Sequence, residues 1–424
     1  MSRAARLAAS PTLHSLATRN FRLFFVGQLV SQAGTWMQTV ALSWAALDLG
    51  GGGLALGAVT ALQFGPGLVL SPYGGVLIDR FDTRRLMIGS QLAFVAVAVA
   101  LTAASFSGVL GMPALLALAL AFGVVNALDS PLRRVIVSEL VPPADQVNAI
   151  GLNTTLMTAS RVFGPALAGG LIAVGGVGWC FLVNALSYPA VLTGLLLMRP
   201  AEMYPTPRSE RAPGQLRAGL RYLAGEPVLR APLVVMTLVA VFGYQMEVTL
   251  PLLADETFGA GASGFTVLYA AMSAGAAAGG LMMARRNVAS LRMVVVNTWV
   301  FAGGLLALAL APHLLVAALV ALPAGFGAIT VLSGAATVVQ VHADPRRRGL
   351  TVAIVSMVFL GSRPVGGPVA GAVADAWGPR TALAVAATLC AGTAAVGVVM
   401  SRRHAADAGP VAVPESDAGR AAAA

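Results

Sequence analysis

The chain has 424 residues, of which 57% are apolar, 10% are charged and 48 are glycine. A soluble domain carries roughly 25% charged residues, and a disordered chain is rich in charge and poor in apolar residues, so neither class fits. The net charge of +10 comes from 27 arginines in short clusters between long apolar runs, without the aromatic-interleaved basic patch of a nucleic-acid groove; with a mean hydropathy of +0.81, this is an integral membrane protein of several spans.

The first stretch carries Arg3, Arg6, Arg19 and Arg22 before an apolar run too long for a signal peptide, and reads as an uncleaved first span. Runs of about 20 residues, the length that crosses the hydrocarbon core, predict spans at 21–47, 54–78, 86–107, 112–137, 147–174 and 177–198. After a polar break they resume at 231–254, 263–284, 291–311, 313–341, 349–374 and 380–400. With the N-terminus inside, 24 of the 27 arginines fall in cytoplasmic segments, as the positive-inside rule requires. Arg161 and Arg363 fall within spans, and Arg380 alone falls outside. The expectation is an all-α membrane protein of twelve helices with both termini cytoplasmic. It comprises a six-helix bundle over 1–198, a cytoplasmic linker over 199–230 with a short amphipathic helix, a second bundle over 231–400 and a disordered tail over 401–424.

The halves repeat at an offset of about 202 residues. Arg161 falls on Arg363, Gly123 on Gly325, Pro143 on Pro345 and Gly169 on Gly371. Two parallel six-helix repeats with a site near the midplane are one of the secondary-transporter plans. A charge in mid-span costs roughly 2.5–3.5 kcal/mol on insertion scales and therefore faces a partner or a cavity. That singles out Asp129, Arg161, Glu247 and Arg363, with Asp129 expected to approach Arg161 and Glu247 to lie at the depth of Arg363. Each serves proton coupling, substrate binding or a structural ion pair. Gln28, Gln32, Thr35 and Thr39 form a polar stripe at helical spacing, which Asn126, Tyr244 and Gln245 extend. The stripe suits a substrate cavity or helix–helix hydrogen bonding. Gly164, Pro165, Gly169 and Gly170 lie mid-span, where small residues let helices approach closely. Cys180 and Cys390 are isolated and the four histidines scattered, so no disulfide framework, metal site or cofactor is expected. No nucleophile or phosphate-binding motif points to an enzyme.

The stretch from Gly75 through Asp79 and Arg80 to Arg84 and Arg85 resembles the loop motif of the major facilitator superfamily, with Asp82 where that motif has its second glycine. RVFGPALAGG resembles the fifth-span motif of its drug:proton antiporters. NFRLFFVGQLVSQAGTWMQTVALSW, NALDSPLRR and VTLPLLADETFG are similar to the branch that includes the enterobactin exporter and related effluxers. The resemblance implies a monomeric secondary exporter of the inner membrane. Its cargo would be an amphipathic small molecule (drug, siderophore or secondary metabolite) moved by alternating access in exchange for protons. Asp79, with Arg80, Arg84, Arg85 and Arg133, would hold a cytoplasmic gate, unless these arginines are topological anchors. A non-transporting receptor or assembly partner, and a lipid or solute transporter of another direction, are the alternatives.

Overall fold

The computed structural model describes residues 13–204, 215–286, 288–344, 347–403 and 411–412. The expected tail beyond Arg403, apart from Val411–Ala412, and the middle of the linker at 205–214 lie outside the described residues. The helices follow the apolar runs. They are α1 (Arg19–Asp48), α2 (Gly53–Arg80), α3 (Thr83–Phe106), α4 (Met112–Glu139), α5 (Gln146–Gly175) and α6 (Val177–Leu197). The amphipathic linker helix is α7 (Gln215–Gly225). Span seven is split into α8 (Pro227–Phe242), α9 (Met246–Leu252) and a π-helical turn, Leu253–Thr257. The rest are α10 (Gly261–Arg286), α11 (Leu291–Leu310), α12 (Leu314–His342), α13 (Arg348–Trp377) and α14 (Pro379–Arg403).

Eleven of these segments are long and apolar enough to cross a membrane. The twelfth, α1, has 30 residues, or about 45 Å at the helical rise. Its apolar character is diluted by Gln28, Ser31, Gln32, Gln38, Thr39 and Ser43, all of them buried. A helix whose polar side faces other helices spans without a uniformly apolar surface.

Local chemistry sets the joints. Asp82 accepts a hydrogen bond from the Arg85 backbone N–H at 2.8 Å and caps α3, which is what an aspartate gains where the resembling motif has glycine. Gly176 between α5 and α6, and Gly378 between α13 and α14, have φ of 81° and 85°, a left-handed conformation that glycine adopts without strain. The two are 202 residues apart, so the repeat read from the sequence reappears as a repeated turn. It also reappears in packing. A Cβ on Gly123 would meet backbone oxygen of Leu62 on α2, and one on Gly325 would meet that of Met272 on α10.

By contacts the chain forms two compact units. The first holds residues up to Glu210, Met246–Ala270 and Arg363–Pro379; the second holds Arg211–Gln245, Ala271–Ser362 and the remainder from Arg380. One boundary falls at the break in span seven, and another one residue before Pro364 in α13. In the first unit, α1 packs on α6 with Gly27 against the Val191 backbone, and α2 packs on α4. In the second, α11 and α12 pack closely where Gly304 meets Ala324 and Gly327 meets Phe301. There Tyr222 of α7 accepts a hydrogen bond from the Asp344 backbone N–H and carries the Arg347 guanidinium over its ring at 4.6 Å.

Candidate functional site

Two groups of buried charge lie within the first unit. On α4, Asp129 is fully buried and pairs with Arg133 one turn later, through both Nη2 and Nε, the latter at 3.2 Å. The other carboxylate oxygen accepts from Ser90 Oγ at 2.6 Å and Gln91 Nε2 at 2.9 Å, both on α3. Arg133 Nη1 donates to Gln28 Oε1 on α1 at 2.9 Å, and that oxygen also accepts from Gln32 Nε2 at 3.0 Å. A carboxylate and a guanidinium are thus tied into three helices, the arrangement that makes a buried pair tolerable. The expected approach of Asp129 to Arg161 is not made, because Arg133 at i+4 is already on the same helix face. Arg133 correspondingly sits in this network, 7% exposed, and not among the arginines at the helix ends.

The second group joins Glu247 and Arg363, whose Oε1 and Nη1 are 2.9 Å apart with side-chain exposures of 4% and 3%. Glu247 is placed by the break in span seven. Residues 243–245 leave the helix, Gln245 Nε2 donates to the freed carbonyls of Ala240 and Val241 at 3.0 Å each, and α9 restarts at Met246. Arg363 precedes Pro364 in α13, and its guanidinium lies 4.5 Å from the Phe64 ring centre and 5.5 Å from that of Trp36. Arg161 approaches the same Trp36 ring at 5.1 Å. The arginines related by the repeat therefore meet one indole, a favourable placement for cations, while Glu247 pairs with Arg363.

The other expected site residues fall as follows. Thr35 Oγ1 donates to Ser31 O at 3.0 Å and lies 3.4 Å from the Tyr188 hydroxyl, and Thr39 Oγ1 donates to Thr35 O. Asn126 and Tyr244 are half-buried, and Tyr244 packs on Phe359 at 5.7 Å in the second unit. Gly75 and Asp79 fall in the last turns of α2, where side chains lie outside the described residues. Arg84 donates to the carbonyls of Leu195 and Leu196 at the end of α6, at 2.7 and 3.2 Å. Arg80 and Arg85 are exposed. In the fifth-span motif, Gly164 lies on α1, where a Cβ would come within 2.6 Å of Trp36 Cβ; Gly169 lies on Thr266. Pro165 is buried in α5, and a Cβ on Gly170 would meet nothing within 4 Å. The sequence reading missed Ser90, Gln91, Gln38, Asn184 and Tyr188. Asn184 donates to Gln38 at 2.7 Å and to the Tyr188 hydroxyl at 3.2 Å, and the Tyr188 ring stacks on Phe94.

Membrane-spanning helices in repeated sixes, with arginines duplicated at equivalent mid-span positions, are the plan of the major facilitator superfamily, and the chain is a multi-pass protein of the cell membrane. More narrowly, the chain belongs to the transmembrane secretion effector family, whose model matches residues 10–416. It is 27% identical to the staphyloferrin A transporter of Staphylococcus aureus over 56% of this chain and 60% of that one. It is 22% identical to macrolide efflux protein A of Streptococcus pyogenes over 67% and 71%. With the enterobactin exporter of Shigella flexneri it shares 30% identity over 49% and 48%. The match thus spans about half to two thirds of the length of these relatives. They are transporters, not enzymes. Its fold is that of a bacterial homologue of the lysosomal transporter Spinster (TM-score 0.72, 16% identity, 93% of this chain and 98% of that one). A bacterial homologue of ferroportin has the same fold, with a TM-score of 0.69, 16% identity, and coverage of 90% and 98%.

Proposed function

We propose that the protein exports small amphipathic molecules of the siderophore or drug type by alternating access, in exchange for protons. It does so as a monomer with both termini cytoplasmic and with the sequence halves 1–198 and 231–400 as its repeats. The relatives named for siderophore and macrolide transport support the cargo class. The half-buried Thr35 and Asn126 are the assigned cargo contacts in the first unit, since Gln28 and Gln32 are already tied to Arg133 and to each other. Asp79 with Arg80 is assigned the cytoplasmic gate.

The observation that carries the coupling is the Glu247–Arg363 pair. A nearly inaccessible carboxylate is held at a helix break by an arginine that also has two aromatic faces. Protonating Glu247 removes one interaction and leaves Arg363 the others. The acid can therefore change charge without stranding its partner, which a coupling site requires. The test is transport of a labelled macrolide or siderophore in proteoliposomes. The wild-type protein accumulates label when a pH gradient is imposed, whereas Glu247→Gln loses accumulation but keeps exchange at equilibrium, which needs no net proton movement. Full pH-driven accumulation by Glu247→Gln removes Glu247 from the role, and indifference of the wild-type protein to the gradient removes proton coupling altogether.

A further inference from the structure

A cavity of about 600 Å³ opens between the start of α3 and the second half of α4. Its walls are mainly apolar and include Gly89, Ala93, Val125 and Leu128, and its mouth carries Arg80 and Arg85. Among the described residues neither guanidinium has a hydrogen-bond or ion-pair partner. The carboxylate at the mouth, Asp82, has one oxygen on the Arg85 backbone N–H. Ser90, the polar group on the wall, is bonded to Met87 O at 2.9 Å and to Asp129 at 2.6 Å. An occupant thus meets hydrocarbon inside and positive charge at the rim.

We propose that this cavity binds an anionic glycerophospholipid from the leaflet at the arginine-rich end of the bundle. The phosphate would sit between Arg80 and Arg85, and an acyl chain would lie along Gly89, Ala93, Val125 and Leu128. The argument is charge complementarity joined to an apolar slot. Basic pockets between membrane helices recognise anionic headgroups, and arginines at a helix end place their charge at headgroup level while their stems stay in the apolar layer. A soluble anion would use the rim and leave the slot unfilled. The bound chain would pack beside Ser90 and hence beside the Asp129 network, so the site reports membrane composition to a buried charge pair. The assignment is independent of the exported cargo and of its direction.

Native mass spectrometry of the full-length protein, equilibrated with equimolar phosphatidylglycerol and phosphatidylcholine, tests it. The wild-type protein should retain phosphatidylglycerol preferentially. Arg80→Gln with Arg85→Gln should lower that retention about fivefold for each arginine, the factor matching about 1 kcal/mol per charge at an anionic surface. Phosphatidylcholine retention should be unchanged. Gly89→Leu should lower phosphatidylglycerol retention with both arginines present. Gly89 lines the cavity, and a Cβ there has no neighbour within 4 Å, so the position itself has room for a side chain. Equal retention of the two lipids by the wild-type protein overturns the proposal even if a variant folds poorly. Undiminished retention by Gly89→Leu also overturns it, because the arginines would then act only as surface charge.

Discussion

At the scale of single residues, the two buried pairs differ in what remains when the acid is removed. Breaking a buried pair by deleting one partner costs about 3–5 kcal/mol when the other charge is left uncompensated. Without Asp129, Arg133 keeps only Gln28 among its side-chain hydrogen bonds to the described residues, and Ser90 and Gln91 lose their common acceptor. Without Glu247, Arg363 still has Phe64 and Trp36 within 5.5 Å, contacts worth about 0.5–2 kcal/mol each. Asp129→Asn should therefore destabilise the protein by about 3 kcal/mol and Glu247→Gln by clearly less. Thermal unfolding of purified protein in one detergent gives the ranking. A lower midpoint for Glu247→Gln than for Asp129→Asn would mean that the aromatic faces do not support Arg363.

At the scale of helices, the first unit depends on a seam between α2 and the last third of α13. Asp375 accepts from the backbone N–H groups of Gly53 and Leu54, at 2.5 and 2.8 Å, so a carboxylate meets the positive end of α2. Along the seam a Cβ on Gly57 would lie 2.6 Å from Pro368 Cα and 2.7 Å from Gly367 O. Both are backbone atoms that no rotamer change can move. Farther along, a Cβ on Gly367 would be 3.2 Å from Thr60 Cβ, a few tenths of an ångström inside the roughly 3.5–4.5 Å that a disulfide spans, so a small outward shift allows the bond. Cysteines replacing Thr60 and Gly367 should cross-link readily on mild oxidation. Adding Gly57→Leu should reduce the yield several-fold, while Gly65→Leu, whose Cβ meets only Pro364 at 3.8 Å, should leave it unchanged. Gel mobility reads the result, and equal yield with and without Gly57→Leu would show that the seam tolerates bulk. The helices themselves were legible, because a 20-residue apolar run has few alternatives in a membrane. The break in span seven was not, since a lone glycine such as Gly243 is tolerated inside a membrane helix and the carbonyl-capping role of Gln245 exists only once the helix has opened. The Asp129–Arg133 pair was present in the sequence as an i,i+4 acid–arginine spacing. Ser90, Gln91, Asn184 and Tyr188 gave no such sign, because hydropathy fixes that a helix spans but not how it is rotated.

At the scale of the whole molecule, the governing asymmetry is the distribution of arginine. The connections α2–α3 and α10–α11 carry arginine clusters, as does the start of α13. The opposite connections carry Asp48, Asp255 and Glu256, with Arg380 tied to Ala311 O at 2.7 Å. Arginine flanks of short loops are retained on the cytoplasmic side during insertion, whereas acidic residues contribute little. The positive-inside rule therefore predicts one orientation for all twelve spans. Single cysteines test it in intact cells with a membrane-impermeant thiol reagent. Val109→Cys, at a position 71% exposed in the α3–α4 connection, should label from outside. Glu202→Cys and Arg347→Cys, both at exposed positions, should label only after permeabilisation. Native Cys180 and Cys390 are buried, and their replacement by alanine removes any background. Labelling of position 202 or 347 from outside, with position 109 protected, would invert the orientation. Asp79 would then stand at an outer gate.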